Sequence, residues 1–246
     1  MPKKYNTVFK RYEYKYLVSR SQRRYIEQQI RLHRMQEDEY GETTICNIYY
    51  DTPDYRLIRR SIEKPVYKEK LRLRSYGRAG ENDTVFLELK KKFDGIVYKR
   101  RISLGLQDAT RFLSGMAPLP KEGQIPRELE YFYKYYGNLQ PSMYLSYDRV
   151  AWFSKYDKNL RVTFDQDIAF RNWDMHLSSA PGGRQLLNPG ESVMEIKVAG
   201  AMPLWLVDIL NSTGVQKTSF SKYGRAYLTI LSEQKLHIPA VAAYTA

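Results

Sequence analysis

The sequence predicts an α+β protein built on an antiparallel sheet that is rolled into a barrel or packed as a sandwich, with helices outside it. Three observations point there. Eight segments read as strands, and most are neighbours in sequence with short turn signals between them. Along those segments basic and apolar residues alternate, so each strand offers one charged face and one apolar face. Apolar helical stretches such as Tyr25 to Leu32 and Leu204 to Leu210 are available to cover the apolar faces. At 246 residues the chain suits one domain, expected over residues 1–236, with a tail at 237–246 that lacks periodicity and is expected to be disordered.

Taken in order, Val8 to Val18 (VFKRYEYKYLV) is rich in strand formers, and Ser19 suits the N-cap of a helix running to about His33. Thr43 to Tyr50 reads as a strand closed by Asp51-Thr52-Pro53-Asp54, where Pro53 is placed to open a short helix over Tyr55 to Ser61. Strands follow at Tyr67 to Tyr76, Thr84 to Phe93 and Ile96 to Leu104, the last two joined by the hairpin dipeptide Asp94-Gly95. Short helices over Gln107 to Ser114 and Arg127 to Tyr136 flank a loop with Pro and Gly from Ala117 to Pro126. Two long strands, Met143 to Phe153 and Leu160 to Arg171, surround a turn at Tyr156-Asp157-Lys158-Asn159. A loop from Ser178 to Gly190, a strand from Ser192 to Ala199 and helices at Pro203 to Leu210 and Ser219 to Ser232 complete the chain.

Composition narrows the function. Forty Lys and Arg against 27 Asp and Glu give a formal charge of +13, which favours a polyanion or an anionic surface as partner. A single cysteine, Cys46, excludes an intramolecular disulfide and suits a reducing compartment. With only three scattered histidines, a Cys/His zinc centre is excluded too. No apolar run reaches membrane-spanning length and the start MPKKYNTVFKRYEYK has no apolar signal core, so the expected location is the cytoplasm.

The alternation of charge then locates a site. In Lys70-Leu71-Arg72-Leu73-Arg74 the three cations share one face of a strand and the leucines the other. Glu13-Tyr14-Lys15, Glu88-Leu89-Lys90 and Glu195-Ile196-Lys197 repeat the device in three further strands. By the same period Lys99 and Arg101 oppose Ile102 and Leu104. Arg149 groups with Met143, Leu145 and Tyr147, while Arg161, Thr163 and Asp165 alternate against Val162, Phe164 and Ile168. With helices outside, the charged faces meet inside a closed sheet. Such an interior is costly when empty, because like charges repel and lose hydration, and an elongated polyanion offsets that cost. Lys70 alone reads as solvated.

These motifs, together with Tyr147-Asp148-Arg149, Arg161-Val162-Thr163-Phe164-Asp165, Ser221-Lys222-Tyr223-Gly224-Arg225 and Tyr49-Tyr50-Asp51-Thr52-Pro53, resemble in kind and order those of triphosphate tunnel metalloenzymes. Within that superfamily the chain is most similar to the polyphosphate polymerase domain of the vacuolar transporter chaperone family, over roughly residues 8 to 230. The resemblance implies a closed eight-stranded antiparallel β-barrel with helices packed outside, which passes the terminal phosphoryl group of ATP to a growing polyphosphate chain. It implies that Lys15, Arg72, Arg74, Lys90, Arg149, Arg161, Lys197 and Lys222 bind phosphate, that Tyr147 donates a hydroxyl to it, and that Glu195 holds Mn²⁺ or Mg²⁺. Glu13 is a second candidate metal ligand. Lys99 and Arg101 join the substrate-binding set by strand parity only.

Implied partners are ATP, inorganic polyphosphate and a pyrophosphate or phosphate primer. The start Arg11-Tyr12-Glu13-Tyr14-Lys15 departs from the Glu-x-Glu-x-Lys of many hydrolytic relatives, which favours the polymerase branch. Two other functions are compatible: a tripolyphosphatase or nucleoside triphosphatase of the same fold, and a non-catalytic binder of polyphosphate or nucleic acid. Strand parity argues against nucleic acid, because the cations alternate with leucines instead of gathering in a tail.

Overall fold

The computed structural model describes residues 12–94 and 96–236. Its elements run β1 (Tyr12–Val18), α1 (Arg20–Leu32), β2 (Met35–Glu37), β3 (Thr43–Asp51), α2 (Arg56–Ile62), β4 (Tyr67–Tyr76), β5 (Thr84–Phe93) and β6 (Ile96–Gly105). They continue α3 (Leu106–Leu113), α4 (Gln124–Tyr136), β7 (Gln140–Ser154), β8 (Arg161–Arg171), β9 (Arg184–Gln185), β10 (Ser192–Val198), α5 (Leu204–Thr213) and α6 (Lys222–Leu236). The expected tail at 237–246, the residues before Tyr12 and the Gly95 half of the Asp94-Gly95 hairpin lie outside the described residues.

One antiparallel sheet holds every described strand, in the order β1-β10-β8-β7-β3-β4-β5-β6, with β2 paired to β7 and β9 to β8. The closed eight-stranded barrel is therefore corrected on two counts. The sheet has ten strands, because β2 and β9 are three and two residues long, too short to show a period in sequence. It is also open, with β1 and β6 at its ends and no ladder between them. The free edge of β1 is met instead by the segment before α6: Thr218 donates its N–H to the Lys15 carbonyl at 2.7 Å, and Lys217 bridges Tyr16.

The sheet's two faces follow from the period of two. On the outer face, Leu71, Leu73, Val85, Leu87 and Leu89 pack against α3 and α4. On the same face of the other half, Tyr16, Val18, Val162, Phe164, Met194 and Ile196 pack against α1 and α5. Leu71, Leu73, Leu87 and Leu89 are almost completely buried, and each such side chain stabilises the fold by about 1.5–3 kcal/mol over an exposed one.

The helices do not all lie outside. α2 and α6 pack Ile58, Tyr223 and Ala226 onto Ile45, Tyr49, Met143, Leu145 and Tyr147, which belong to the inner face, and so plug one end of the trough. Ile168 joins this inner cluster, contrary to its expected grouping with Val162 and Phe164. The reason is a bulge. Asp148 opposes Gln166 while Ser146 opposes Ala169, so β8 spends one residue more than β7 here, with Asp167 at φ 49°, and the parity of β8 flips.

Local chemistry sets the helix starts. Ser19 and Gln22 form a reciprocal capping box at α1. α2 follows a different rule from the expected one: Pro53 lies in the turn before it, and the Asp51 carboxylate accepts the N–H groups of Leu57 at 2.8 Å and Ile58 at 3.0 Å. Ser221 accepts the Gly224 N–H at 3.1 Å and caps α6.

Candidate functional site

The inner face turns from apolar, where α2 and α6 plug it, to charged along the rest of its length. Cross-strand register assembles the charged part in rows. Arg74 of β4 lies beside Asn47 of β3, Arg72 beside Tyr49 on one side and Glu88 of β5 on the other, and Arg101 of β6 beside Glu88. One step on, Lys70, Lys90 and Lys99 stand in a line across β4, β5 and β6. From the opposite half come Arg149 beside Asp165, Glu195 beside Thr163 and Lys15, and Lys197 beside Arg161 and Glu13.

Glu88 organises the first group. It is 1% exposed, with Oε2 at 2.6 Å from Arg72 and 3.9 Å from Arg74, and Oε1 at 2.6 Å from Lys99 and 3.4 Å from Arg101. Burial alone would raise its pKa, but Arg72, Arg74 and Lys99 outweigh that and hold it at about 2. Arg72 also donates to the Tyr49 hydroxyl at 3.2 Å, and Arg74 to Asn47 at 2.9 Å and the Tyr147 hydroxyl at 3.3 Å. The guanidinium planes are thus fixed before any ligand arrives, which suits recognition of tetrahedral oxyanions.

Asp165 organises the second group. It is fully buried, takes Arg149 in a two-pronged contact of 2.5 and 2.7 Å, and pairs with Lys222 from the first turn of α6. Desolvation is again outweighed, here by Lys222 and Arg149, and the carboxyl titrates at about 2. Burial pushes the Tyr147 phenol up, yet Arg74, Arg149 and Lys222 together bring it down to about 8.

Side chains tie the two halves together where no ladder does. Glu13 contacts Lys15 at 3.1 Å and, across the trough, Lys90 at 3.8 Å. Lys15 donates to the Phe220 carbonyl at 3.0 Å, and Lys70 to the Ser221 hydroxyl at 3.0 Å. All thirteen residues singled out from the sequence therefore lie on this inner face or, for Lys222, project onto it from α6.

Sequence reasoning missed three participants. Lys70 is half-buried instead of freely solvated: burial lowers its pKa to about 8, and it meets the cap of α6. Its parity with Arg72 and Arg74 was the available signal. Asp165 stood in a recognised motif, but its ion pairs reach 57 residues along the chain. Ser221 also stood in a recognised motif, but its contact with Lys70 spans 151 residues of sequence.

The residues can be tested against a divalent ion. Among the described residues no three Asp, Glu, His or Cys side chains gather into a cage. Mg²⁺ and Mn²⁺ do not need one, since one or two carboxylates plus substrate phosphates and water complete their shell. Glu195 fits this role. It is 7% exposed, and although desolvation opposes ionisation, Lys197 at 2.9 Å, Lys15 and Arg149 hold its carboxyl well below the usual range. Beside it in register, the buried Thr163 hydroxyl has no hydrogen-bond partner, and neither has Arg161 Nε on the same strand. The Glu195 carboxylate is an oxygen ligand suited to an ion shared with phosphate oxygens, while the Arg161 guanidinium can only donate to the phosphate.

No helix among the described residues is long and apolar enough to cross a membrane. Comparison with known proteins adds the family. The family model of the VTC domain matches residues 10–231. No curated protein is significantly similar in sequence. Among solved structures, an adenylate cyclase candidate from Bacillus halodurans superposes with a TM-score of 0.53 at 18% identity, covering 85% of this chain and 92% of that one. A proposed adenylyl cyclase from Hippeastrum with a dominant triphosphatase activity superposes at 0.51 and 15% identity, covering 87% and 95%. These neighbours have the triphosphate tunnel fold, and the likeness is one of fold.

Proposed function

The chain belongs to the VTC domain family, and from that premise we propose that it is a metal-dependent polyphosphate polymerase that moves the γ-phosphoryl group of ATP onto the end of a polyphosphate chain. One observation carries the reading. Lys15, Arg72, Arg74, Lys90, Arg149, Arg161, Lys197 and Lys222 converge on one concave face, with Lys70, Lys99 and Arg101 beside them, and these cations far outnumber the carboxylates Glu13, Glu88, Asp165 and Glu195. A chain of phosphates is the ligand that neutralises such a face along its length.

In the transfer, a terminal oxygen of the acceptor phosphate forms a bond to the γ-phosphorus as the β–γ bridging bond breaks and ADP departs. The acceptor oxygen is already ionised at neutral pH, so neither a protein nucleophile nor a strong general base is required. The catalytic work is positioning and charge neutralisation. Arg72 and Arg74 approach from β4, Arg149 and Lys197 from β7 and β10, and Lys90 from β5, so the equatorial oxygens are held from both halves of the sheet. Lys15, Lys99, Arg101, Arg161, Lys222 and the Tyr147 hydroxyl bind the flanking phosphates. Glu195, assisted by Glu13, would hold Mn²⁺ or Mg²⁺, which would supply neutralisation of the substrate's phosphate charge.

The same reading takes residues 1–236 as one domain, because the hydrophobic clusters share strands of a single sheet, and places it in a reducing compartment consistent with the free, buried Cys46. The test is to incubate the protein with ATP and Mn²⁺, with and without a pyrophosphate primer, and resolve the products by gel. A ladder of long chains that vanishes in Glu195→Ala is the expected result. Orthophosphate release without chains would assign the protein to the triphosphatases instead.

A further inference from the structure

Strand β8 presents Arg161, Thr163 and Asp165 to the inner face. Two of these carry buried polar atoms without partners: Thr163 Oγ1 and Arg161 Nε. Thr163 is 1% exposed and lies in register between Ala151 of β7, which has no polar side-chain atom, and Glu195 of β10. Of the neighbouring carboxylates, Asp165 is engaged by Arg149 and Lys222, and Glu195 by Lys197 through Oε1. A hydroxyl in such a place weakens the protein unless something outside the chain accepts its hydrogen bond, and valine would fill the same volume without that penalty.

Resting on the reading of the inner face as a phosphate-chain site, we propose that the Thr163 hydroxyl donates a hydrogen bond to an anionic phosphate oxygen of the bound chain. Arg161 supports the assignment independently. Its Nε is the second unpartnered donor on the same strand face, and its guanidinium is held over the Phe153 ring at 4.5 Å. The Thr163 contact is neutral, so with the Tyr147 hydroxyl it adds direction to a face whose other contacts are ionic.

Thr163→Val and Thr163→Ser in the full chain test this. Melting is followed without ligand, and tripolyphosphate binding by titration calorimetry. Thr163→Val is expected to melt at or above the wild-type temperature and yet to bind tripolyphosphate about tenfold more weakly, the size expected for a hydrogen bond to a charged acceptor. Thr163→Ser, which keeps the hydroxyl, is expected to bind within about threefold of wild type. Wild-type affinity in Thr163→Val would overturn the proposal. So would a lowered melting temperature in that variant, which would show that the hydroxyl is satisfied inside the fold. If the wild-type protein itself fails to bind tripolyphosphate, the functional reading falls and this proposal with it.

Discussion

The carboxylate of Asp51 accepts a 2.9 Å hydrogen bond from the Tyr223 hydroxyl, tying the start of α2 to the first turn of α6 across 172 residues of sequence. Asp51 is fully buried and also receives the N–H groups of Thr52, Leu57 and Ile58. Tyr223 stacks on Tyr49 at 4.6 Å, and its neighbour Lys222 pairs with Asp165. Removing only the hydroxyl, in Tyr223→Phe, is expected to cost about 1–2 kcal/mol in urea unfolding and to raise the KM for ATP by loosening Lys222. Asp51→Ala is expected to cost more, because three backbone donors lose their acceptor as well.

Glu88 serves four cations from beneath the site. Glu88→Gln leaves them facing one another, and urea unfolding is expected to show a loss of about 3 kcal/mol or more, as for other buried ion pairs stripped of one partner. Arg72→Ala combined with Arg74→Ala is the complementary case. Lys99 and Arg101 still cover Glu88, so the double variant is expected to stay folded by circular dichroism while polymer formation falls at least about 100-fold.

Lys70 and Lys99, both lowered to about 8 chiefly by burial, and Tyr147, lowered to about 8 by three cations that outweigh its burial, titrate in the same range. A bound polyanion favours the protonated ammonium and the neutral phenol. Binding should therefore take up protons near pH 8, and tripolyphosphate affinity should fall as pH rises from 7 to 9. Calorimetry in two buffers of different ionisation heat measures the uptake, and Lys70→Met should reduce it.

Acid acts on the carboxylates. Glu88 and Asp165 both titrate at about 2 in the folded protein, below the usual carboxylate range. A depressed folded pKa gives stability that is fully present above the unfolded value and disappears as pH falls through the folded one. Loss of stability is thus expected between about pH 4.5 and pH 2. Glu88→Gln should flatten that slope in melting temperatures measured across the window.

Much of this was legible in the sequence because it rests on the period of two. The strands Tyr67–Tyr76 and Thr84–Phe93 occur as expected, and the pairing of leucines outward with cations inward follows from their order alone. What stayed hidden depends on contacts remote in sequence or on a single-residue irregularity. Ile168 changes face because Asp167, at a positive φ, is the extra residue of a bulge in β8. Lys70 looked solvated because its cover, Ser221, is 151 residues away. An open sheet and a closed barrel share the same alternation, and what distinguishes them is the lack of a ladder between β1 and β6, with residues 217–218 meeting the free edge of β1 instead.

The most direct measurement is a crystal structure of the protein with tripolyphosphate bound. Phosphates are expected on the inner face, between Arg72 and Arg74 on one side and Arg149 and Lys15 on the other, near Glu195. Phosphate located only in the outer groove lined by Lys91, Arg127, Glu128 and Tyr131, with the inner face unliganded, would contradict it.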